Sequence, residues 1–250
     1  DRFGDTDPDS VLRATPGVIT RANPQQAGIA PNIRGFEGSG RVTSTVDGVR
    51  QNFRFTGHEA SGFTYVDPAF LRSVDIRRGA VSTTGGGGLA GSVGFRTIGV
   101  DDVIMDGKDN GVITRLQWGD NGVGPSEMIA GGYRAGNAGF VLGLSGRSSS
   151  DFRNGDGDRE NSTGQELRSA LLKAEFDLGN GHQLNFGGLL YRNEFGANSY
   201  NQRIDNRTAT IGYRFNPADN DLINLSANIY YNDIRMKYLS PIDPNSPFAS

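Results

Sequence analysis

Residues 221–233 read DLINLSANIYYND. Alternate positions carry Ile223, Leu225, Ala227, Ile229 and Tyr231, and the face between them carries Asn224, Ser226, Asn228 and Asn232. Successive side chains of a strand point to opposite faces, so this period of two predicts a β-strand with one apolar and one polar face. Residues 207–215 repeat the pattern, with Ala209, Ile211, Tyr213 and Phe215 against Thr208, Thr210 and Arg214. In residues 169–178, Ala170, Leu172, Ala174, Phe176 and Leu178 oppose Ser169, Lys173, Glu175 and Asp177. Weaker copies lie at 112–118, 126–134, 138–147 and 182–192, which makes seven expected strands. Most approach the about 9–11 residues needed to cross an outer membrane at a tilt.

The connections sharpen this reading. AGNAG (135–139), the GNGH turn that ends in His182, and NPADND (216–221) are short and turn-like. Between them lie the longer polar segments 119–125, 148–166 and 193–206. Strict alternation of short turns and long loops is the pattern of an antiparallel transmembrane β-barrel. Phe140, Phe176 and Phe215 fall beside short turns, and Trp118 and Tyr231 are read as lying near long loops, positions that suit interfacial girdles. Lys173, Glu175, Asp177 and Arg214 are then expected to face the lumen or a plug, because Arg or Lys on the lipid face costs about 2–4 kcal/mol at mid-depth. Seven strands cannot close a barrel around a plug, so the sequence is expected to be part of a longer protein.

Composition agrees. Glycine supplies 37 of 250 residues and apolar residues only 35%, and mean hydropathy is −0.47. No apolar run is long enough for a membrane helix. The net charge of −3, spread along the chain, argues against a nucleic-acid footprint. Cysteine is absent, which removes disulfides and thiolate metal sites. No HExxH, GxSxG or cysteine-based constellation is present, so no enzymatic activity is expected.

The first hundred residues read differently. DSVLRATPGV (9–18) begins with a plausible N-cap and stops at Pro16-Gly17. PNIRGF (31–36) reads as a short strand, and VTSTVDGVRQ (42–51) as strand structure around an Asp47-Gly48 turn. VDPAFLRSVDIRRG (66–79) is expected to open a helix at Asp67 with Pro68 in its first turn, bury Phe70, Leu71 and Val74, and pass into a strand over Val74–Arg77. GGGGLAGSVGFRT (85–97) adds a glycine-rich turn and a strand.

Taken in order, VLRATPGV, NIRGF, VDGVRQ, VDPAFLRSVDIRRG and GGLAGSVGFRT resemble the plug domain of TonB-dependent outer-membrane receptors, over about residues 9–97. The resemblance implies an α/β plug domain (1–105) followed by the N-terminal part of a transmembrane β-barrel (106–250), itself a portion of a barrel of about 22 strands. Two departures stand out: Ala80 replaces the proline many members carry after RG, and the TonB-binding box found upstream in the family is absent from this sequence. VDGVRQNF, then Gly57-His58, an aromatic stretch and VDP, with FRT…VDDVI (95–104), resemble the haem and haemophore receptors of the family. The resemblance implies haem as transported ligand, with no permanent cofactor. It also implies a haem-carrier protein and the inner-membrane TonB complex as partners, and residence in the lipid of a Gram-negative outer membrane. A ferric-siderophore receptor of the same family is the nearest alternative, and a soluble β-rich adhesin a more distant one.

His58 is the candidate axial ligand for haem, since neutral imidazole binds haem iron and related haem receptors use a histidine at the plug apex. Phe53, Phe55, Phe63 and Tyr65 are candidate pocket rings, with Phe55 and Tyr65 leaning toward packing, and Glu59 is a candidate to orient the imidazole. His182 is expected to be an ordinary residue beside a short turn. Gly86-x-Gly88-x-x-Gly91 matches a dinucleotide fingerprint in spelling only, because a strand and not a helix is expected after it. Asn154, Asp156 and Asp158 have calcium-like spacing but lack the glycine and glutamate of an EF-hand loop. The many plug arginines, Arg34, Arg41, Arg50, Arg54, Arg72, Arg77 and Arg78, are expected to be solvated or to pair with strand carboxylates such as Glu175 and Asp177, with attraction of haem propionates or anionic siderophores as the alternative.

Overall fold

The structure is a computed structural model that describes residues 12–13, 15–20, 27–38, 40–53, 62–81, 87–197, 200–220 and 222–242. Its largest feature is a seven-stranded antiparallel meander: β8 (Asn110–Gly119), β9 (Gly124–Ala135), β10 (Ala138–Ser149), β11 (Gln165–Gly179), β12 (His182–Ala197), β13 (Tyr200–Phe215) and β14 (Leu225–Pro241). Each strand pairs with its sequence neighbour in continuous register, as short connections between antiparallel strands dictate. The expected strand count and order hold, but the strict alternation of short turns and long loops does not: the expected long segment 193–206 is almost all strand, β12 ending at Ala197 and β13 starting at Tyr200, residues 120–123 alone join β8 to β9, and residues 216–224 separate β13 from β14. No described helix is long and apolar enough to cross a membrane, which has no bearing on strands.

The polar face predicted for the lumen does point inward. On β11, Leu172 and Leu178 are exposed on the outer face, whereas Ser169, Leu171 and Lys173 turn toward the enclosed domain. The strands are longer than the periodicity suggested, with 15 residues in β11, 16 in β12 and β13 and 17 in β14. The extra length lies at the long-loop end, where the alternation changes phase. In β12 the outer face runs Leu184, Phe186, Leu190 and then Arg192, Glu194. The inner face runs Gln183, Asn185 and then Leu189, Tyr191, Phe195. β13 and β14 invert at the same level, with Arg207, Asp205 and Arg203 outside and Ile204 inside, and with Asp233, Arg235 and Lys237 outside and Ile234 and Met236 inside. Apolar residues therefore face outward in one half of each strand and inward in the other. Tyr231, expected near a long loop, is consequently a mid-strand residue, paired with Ala209.

The first hundred residues form two smaller sheets. β1 (Val18–Thr20), β2 (Pro31–Ile33) and β3 (Phe36–Glu37) make one. β4 (Val42–Val46), β5 (Val49–Gln51), β6 (Leu71–Arg78) and β7 (Gly91–Thr97) make the other, in the order β5-β4-β7-β6 with β4 and β7 parallel. Asp47 and Gly48 join β4 to β5 with φ of +48° and +80°, the left-handed pair of a two-residue hairpin turn. The helix expected from Asp67 is a single 3-10 turn, Pro68–Phe70. Asp67 Oδ1 accepts the Ala69 amide at 2.9 Å, so the cap is as expected, but Leu71 is already extended and β6 begins there. Pairing of β6 with β7, along with the β-branched Val74 and Ile76, outweighs the helix start signal. Of the helix expected near residues 9–16, only Leu12 and Arg13 are helical among the described residues.

A short helix, α1 (Val100–Val103), leads into the meander and lies against its wall. Asp102 Oδ2 reaches back to accept the Gly99 amide at 2.8 Å. The wall is glycine where α1 touches it. A Cβ on Gly111 would fall 2.0 Å from the Val103 carbonyl oxygen, and one on its cross-strand partner Gly132 would fall 2.9 Å from Ile104. The main core runs through this contact, joining Ile33, Val46, Phe70, Val93, Phe95 and Val100 of the enclosed domain to Met128, Ala130, Val141 and Leu171 of the strands.

Candidate functional site

Four of the residues singled out by sequence, Arg54, Phe55, His58 and Glu59, fall in 54–61, outside the described residues. Both flanks of that segment are described, and they converge. Phe53 follows β5, while Phe63 and Tyr65 precede the 3-10 turn, where Thr64 exchanges backbone hydrogen bonds of 2.9 Å with Ile29. The Phe53 and Tyr65 rings meet edge to face with centroids 5.9 Å apart, and Phe63 lies 6.4 Å from Tyr65. Tyr65 also packs on the wall, 6.2 Å from Tyr191 and 6.5 Å from Phe195 of β12. Pairs of this geometry contribute about 0.5–1.5 kcal/mol each beyond simple burial.

Leu167, Ile204 and Ala30 complete a second apolar cluster around these rings. Tyr65 is 1% and Phe63 3% exposed, so both rings are committed to packing, while Phe53 is half-buried. Beside them Asn193 donates through Nδ2 to the Tyr191 hydroxyl at 3.2 Å and to Gln165 Oε1 at 3.3 Å. The two flanks of the 54–61 segment are thus fastened to the long-loop half of the wall by an aromatic foot. Sequence reading did not flag Tyr191, Asn193 or Phe195. Their signal is the phase change in β12, which exposes a second inward apolar face.

The enclosed domain is tied to the opposite half of the wall by polar contacts. Lys173 Nζ lies 3.2 Å from Asp47 Oδ2 and donates to the Thr97 carbonyl at 3.1 Å. Arg134 pairs with Asp101 at 2.6 Å and with Glu175 at 3.3 Å, and Arg115 donates to the Ala69 carbonyl at 2.6 Å. The polarity reverses the expectation: in these contacts the wall supplies the cations and the enclosed domain the acceptors. Arg72 pairs within its own domain, with Asp102 at 2.5 Å, and Glu175 of β11 is held by Arg134 of β9, reaching across Gly139 of β10.

The remaining motifs resolve into structural roles. His182 is at a short turn and faces outward, stacked on Phe215 at 4.2 Å, with Nδ1 2.7 Å from the Tyr213 hydroxyl. Gly86 lies outside the described residues, and Gly91 itself opens β7, a strand and not a helix, which is not the context a phosphate-binding fingerprint needs. The nearby cavity of about 280 Å³ is lined by Gly40, Ala80, Val81, Gly87, Gly88 and Leu89, none of them titratable. In the loop between β10 and β11, Asn154 Oδ1 accepts the Asp156 and Asp158 amides at 3.0 Å each, and Asn154 Nδ2 donates to Glu160 at 2.8 Å. Asp151 accepts the Thr163 and Gly164 amides at 2.9 and 3.0 Å and pairs with Arg159 at 3.0 Å. Among the described residues no group of three or more His, Cys, Asp or Glu is placed to hold a metal ion.

Residues 1–93 match the TonB-dependent receptor plug domain family. A probable TonB-dependent receptor of Haemophilus influenzae is 37% identical over 182 residues, which is 67% of this chain and 20% of that protein. A hemin receptor of Yersinia enterocolitica is 27% identical over 242 residues, 90% of this chain and 34% of that protein. Among solved structures, the Serratia marcescens hemophore receptor HasR, determined with its hemophore HasA and heme, is similar with a TM-score of 0.86 and 26% identity, over 92% of this chain and 35% of HasR. The chain therefore spans between a fifth and about a third of the length of these relatives.

Proposed function

Because this chain belongs to the TonB-dependent receptor family, we propose that the whole protein imports an iron-bearing ligand, haem or haem handed over by a carrier protein, across a Gram-negative outer membrane. Residues 1–105 serve as the plug and 106–250 as the first barrel strands, a division supported by the end of α1 at Val103 and the start of β8 at Asn110. The observation that carries the ligand reading is the aromatic foot. Phe53, Phe63 and Tyr65 fasten both ends of the His58 segment to the long-loop half of β12, the half that faces outside in a barrel with short periplasmic turns. His58 supplies an axial imidazole to the iron, and Glu59 orients it. Hemin and hemophore binding among the similar proteins supports the same reading. TonB, reaching from the inner membrane, pairs with a receptor segment and draws part of the plug aside.

Spectral titration of the full-length receptor with haem tests this. Wild type is expected to shift the Soret band on binding, and His58→Ala to lose or alter that shift. An unchanged spectrum in His58→Ala removes His58 from the site. Growth of a receptor-deletion strain, complemented with this gene, on a ferric siderophore but not on haem removes haem itself.

A further inference from the structure

Seven outward-facing apolar side chains, Phe140, Leu142, Leu144, Leu172, Leu190, Ile211 and Ile229, mark the band in which the wall meets lipid. At its upper limit the outer face turns abruptly to charge. Cross-strand register places Arg168, Arg192, Asp205 and Arg235 side by side on β11, β12, β13 and β14, in one row. The next row up holds Glu166, Glu194, Arg203 and Lys237, and one step below lie Arg207 and Asp233. On these four strands the patch holds six cations and four anions, and the row just above Arg207 and Asp233 is three cations to one anion. Across Gly146, that row continues to a fifth carboxylate, Glu127 of β9, which leaves the patch a net +1 (6 − 5).

The pairing inside the patch is incomplete in a directional way. Arg192 holds Asp205 at 2.6 Å, Arg203 holds Glu194 at 2.7 Å, Arg235 holds Asp233 at 2.9 Å, and Arg168 holds Glu166. Arg168 and Arg192 nevertheless stand directly opposite each other, as do Arg203 and Lys237, juxtapositions that are unfavourable unless an anion lies between them. A guanidinium carries five N–H donors, and one carboxylate engages two of them at most. Arg207 and Lys237 make no ion pair or hydrogen bond with another described residue.

We propose that this patch seats a phosphate-bearing lipid headgroup of the outer leaflet, with Arg168, Arg192 and Arg235 as its main contacts and Arg207 and Lys237 at its edges. Headgroup phosphates lie where the hydrocarbon ends, the level of the three-cation row. Guanidinium groups favour phosphate through paired donors. The carboxylates fix the arginine side chains sideways along the sheet and leave their remaining donors facing out. Free phosphate shares the chemistry, but only a lipid also meets the apolar band directly beneath. This inference rests on the transmembrane reading of the barrel, and a protein that proved soluble without detergent would defeat that reading before any lipid was added.

The test is native mass spectrometry of the detergent-purified full-length receptor with bis-phosphorylated lipid A. Wild type is expected to retain it, and R168Q/R192Q/R235Q to bind about tenfold more weakly or worse. Heat-modifiable mobility on gels should be unchanged, because the three side chains are on the outer surface. Should the triple variant lose its folded mobility, R168Q and R192Q separately decide, each expected to weaken retention by a few-fold. Undiminished retention in the variants, equal retention of dephosphorylated lipid A, or equal competition by inorganic phosphate each overturns the proposal.

Discussion

Lys173, on the inner face of β11, places its ammonium 3.2 Å from the Asp47 carboxylate of the enclosed domain. Asp47 also accepts the Thr97 amide at 2.9 Å and the Thr97 hydroxyl at 2.6 Å, so one side chain in a hairpin turn joins β7 and the wall. The two ends are 21% and 24% exposed, dry enough for the contact to matter. Asp47→Asn keeps a residue that tolerates the left-handed turn but removes the charge and turns a donor toward Lys173. It is expected to raise the opening equilibrium around Thr97 by about 1–3 kcal/mol, and Lys173→Met to do so by less, since Asp47 keeps both Thr97 partners. Hydrogen exchange at the Thr97 amide in the full-length receptor measures both. Exchange as slow as wild type in Asp47→Asn would show that the contact contributes nothing.

The glycine contact beneath α1 gives a paired prediction. Gly111 has the Val103 carbonyl where its Cβ would stand, whereas Gly131 of β9 has open space outward. Gly111→Ala is expected to push α1 from the wall and destabilise its packing by about 1–3 kcal/mol. Gly131→Ala is expected to be neutral or slightly stabilising. Trypsin cleavage after Lys108 reports the difference: faster in Gly111→Ala, unchanged in Gly131→Ala.

These two contacts also indicate where sequence reading succeeds and where it stops. In the short-turn half of β11, β13 and β14 the outward residues are apolar and the inward ones polar, so Leu172, Ile211 and Ile229 against Lys173, Thr210 and Asn228 spell out a strand. In the outer half the inside is the apolar surface of the plug, and Tyr191, Phe195, Ile204 and Met236 fall on the opposite parity. A window spanning both halves sees the signals cancel, and for that reason the strands read short. The plug was legible from turn chemistry, with Asp47-Gly48 as the clearest case. Its contacts with the wall were not, because nothing local to Lys173 names Asp47, 126 residues earlier (173 − 47), as its partner. The candidate pocket was legible only as a cluster of rings. Tyr65 already leaned toward packing, but that its partner is Tyr191 depends on the phase change.

Asp151 provides a pH test outside the membrane. Burial pushes its carboxyl upward, but the amides of Gly164 and Thr163 and the charge of Arg159 outweigh that, and it ends below the ordinary aspartate value. A lowered folded-state value means that the loop gains stability above the ordinary value of about 3.9 and loses it as pH falls through the folded value. The protection factors of the Thr163 and Gly164 amides are therefore expected to hold from neutral pH down to about 4 and to drop below it. Asp151→Asn should show the reduced protection already at neutral pH. Protection that is flat through the acid range would mean that the carboxylate does not organise this loop.

The aromatic foot separates anchoring from ligation. Tyr65 touches Phe53, Phe63, Tyr191 and Phe195, so Tyr65→Ala removes the centre of the cluster, and a buried aromatic lost in this way costs about 3–5 kcal/mol of local packing. If the foot holds the His58 segment in place, Tyr65→Ala raises the haem dissociation constant about tenfold through the added ordering that binding then requires. It leaves the Soret maximum of the bound form where it was, because the axial ligand is unchanged. His58→Ala moves the maximum. His182→Ala, at the far end of the barrel and stacked on Phe215, changes neither. Titrating the three variants side by side distinguishes these roles. A Tyr65→Ala receptor that binds haem as tightly as wild type would show that the foot packs the plug without positioning the ligand.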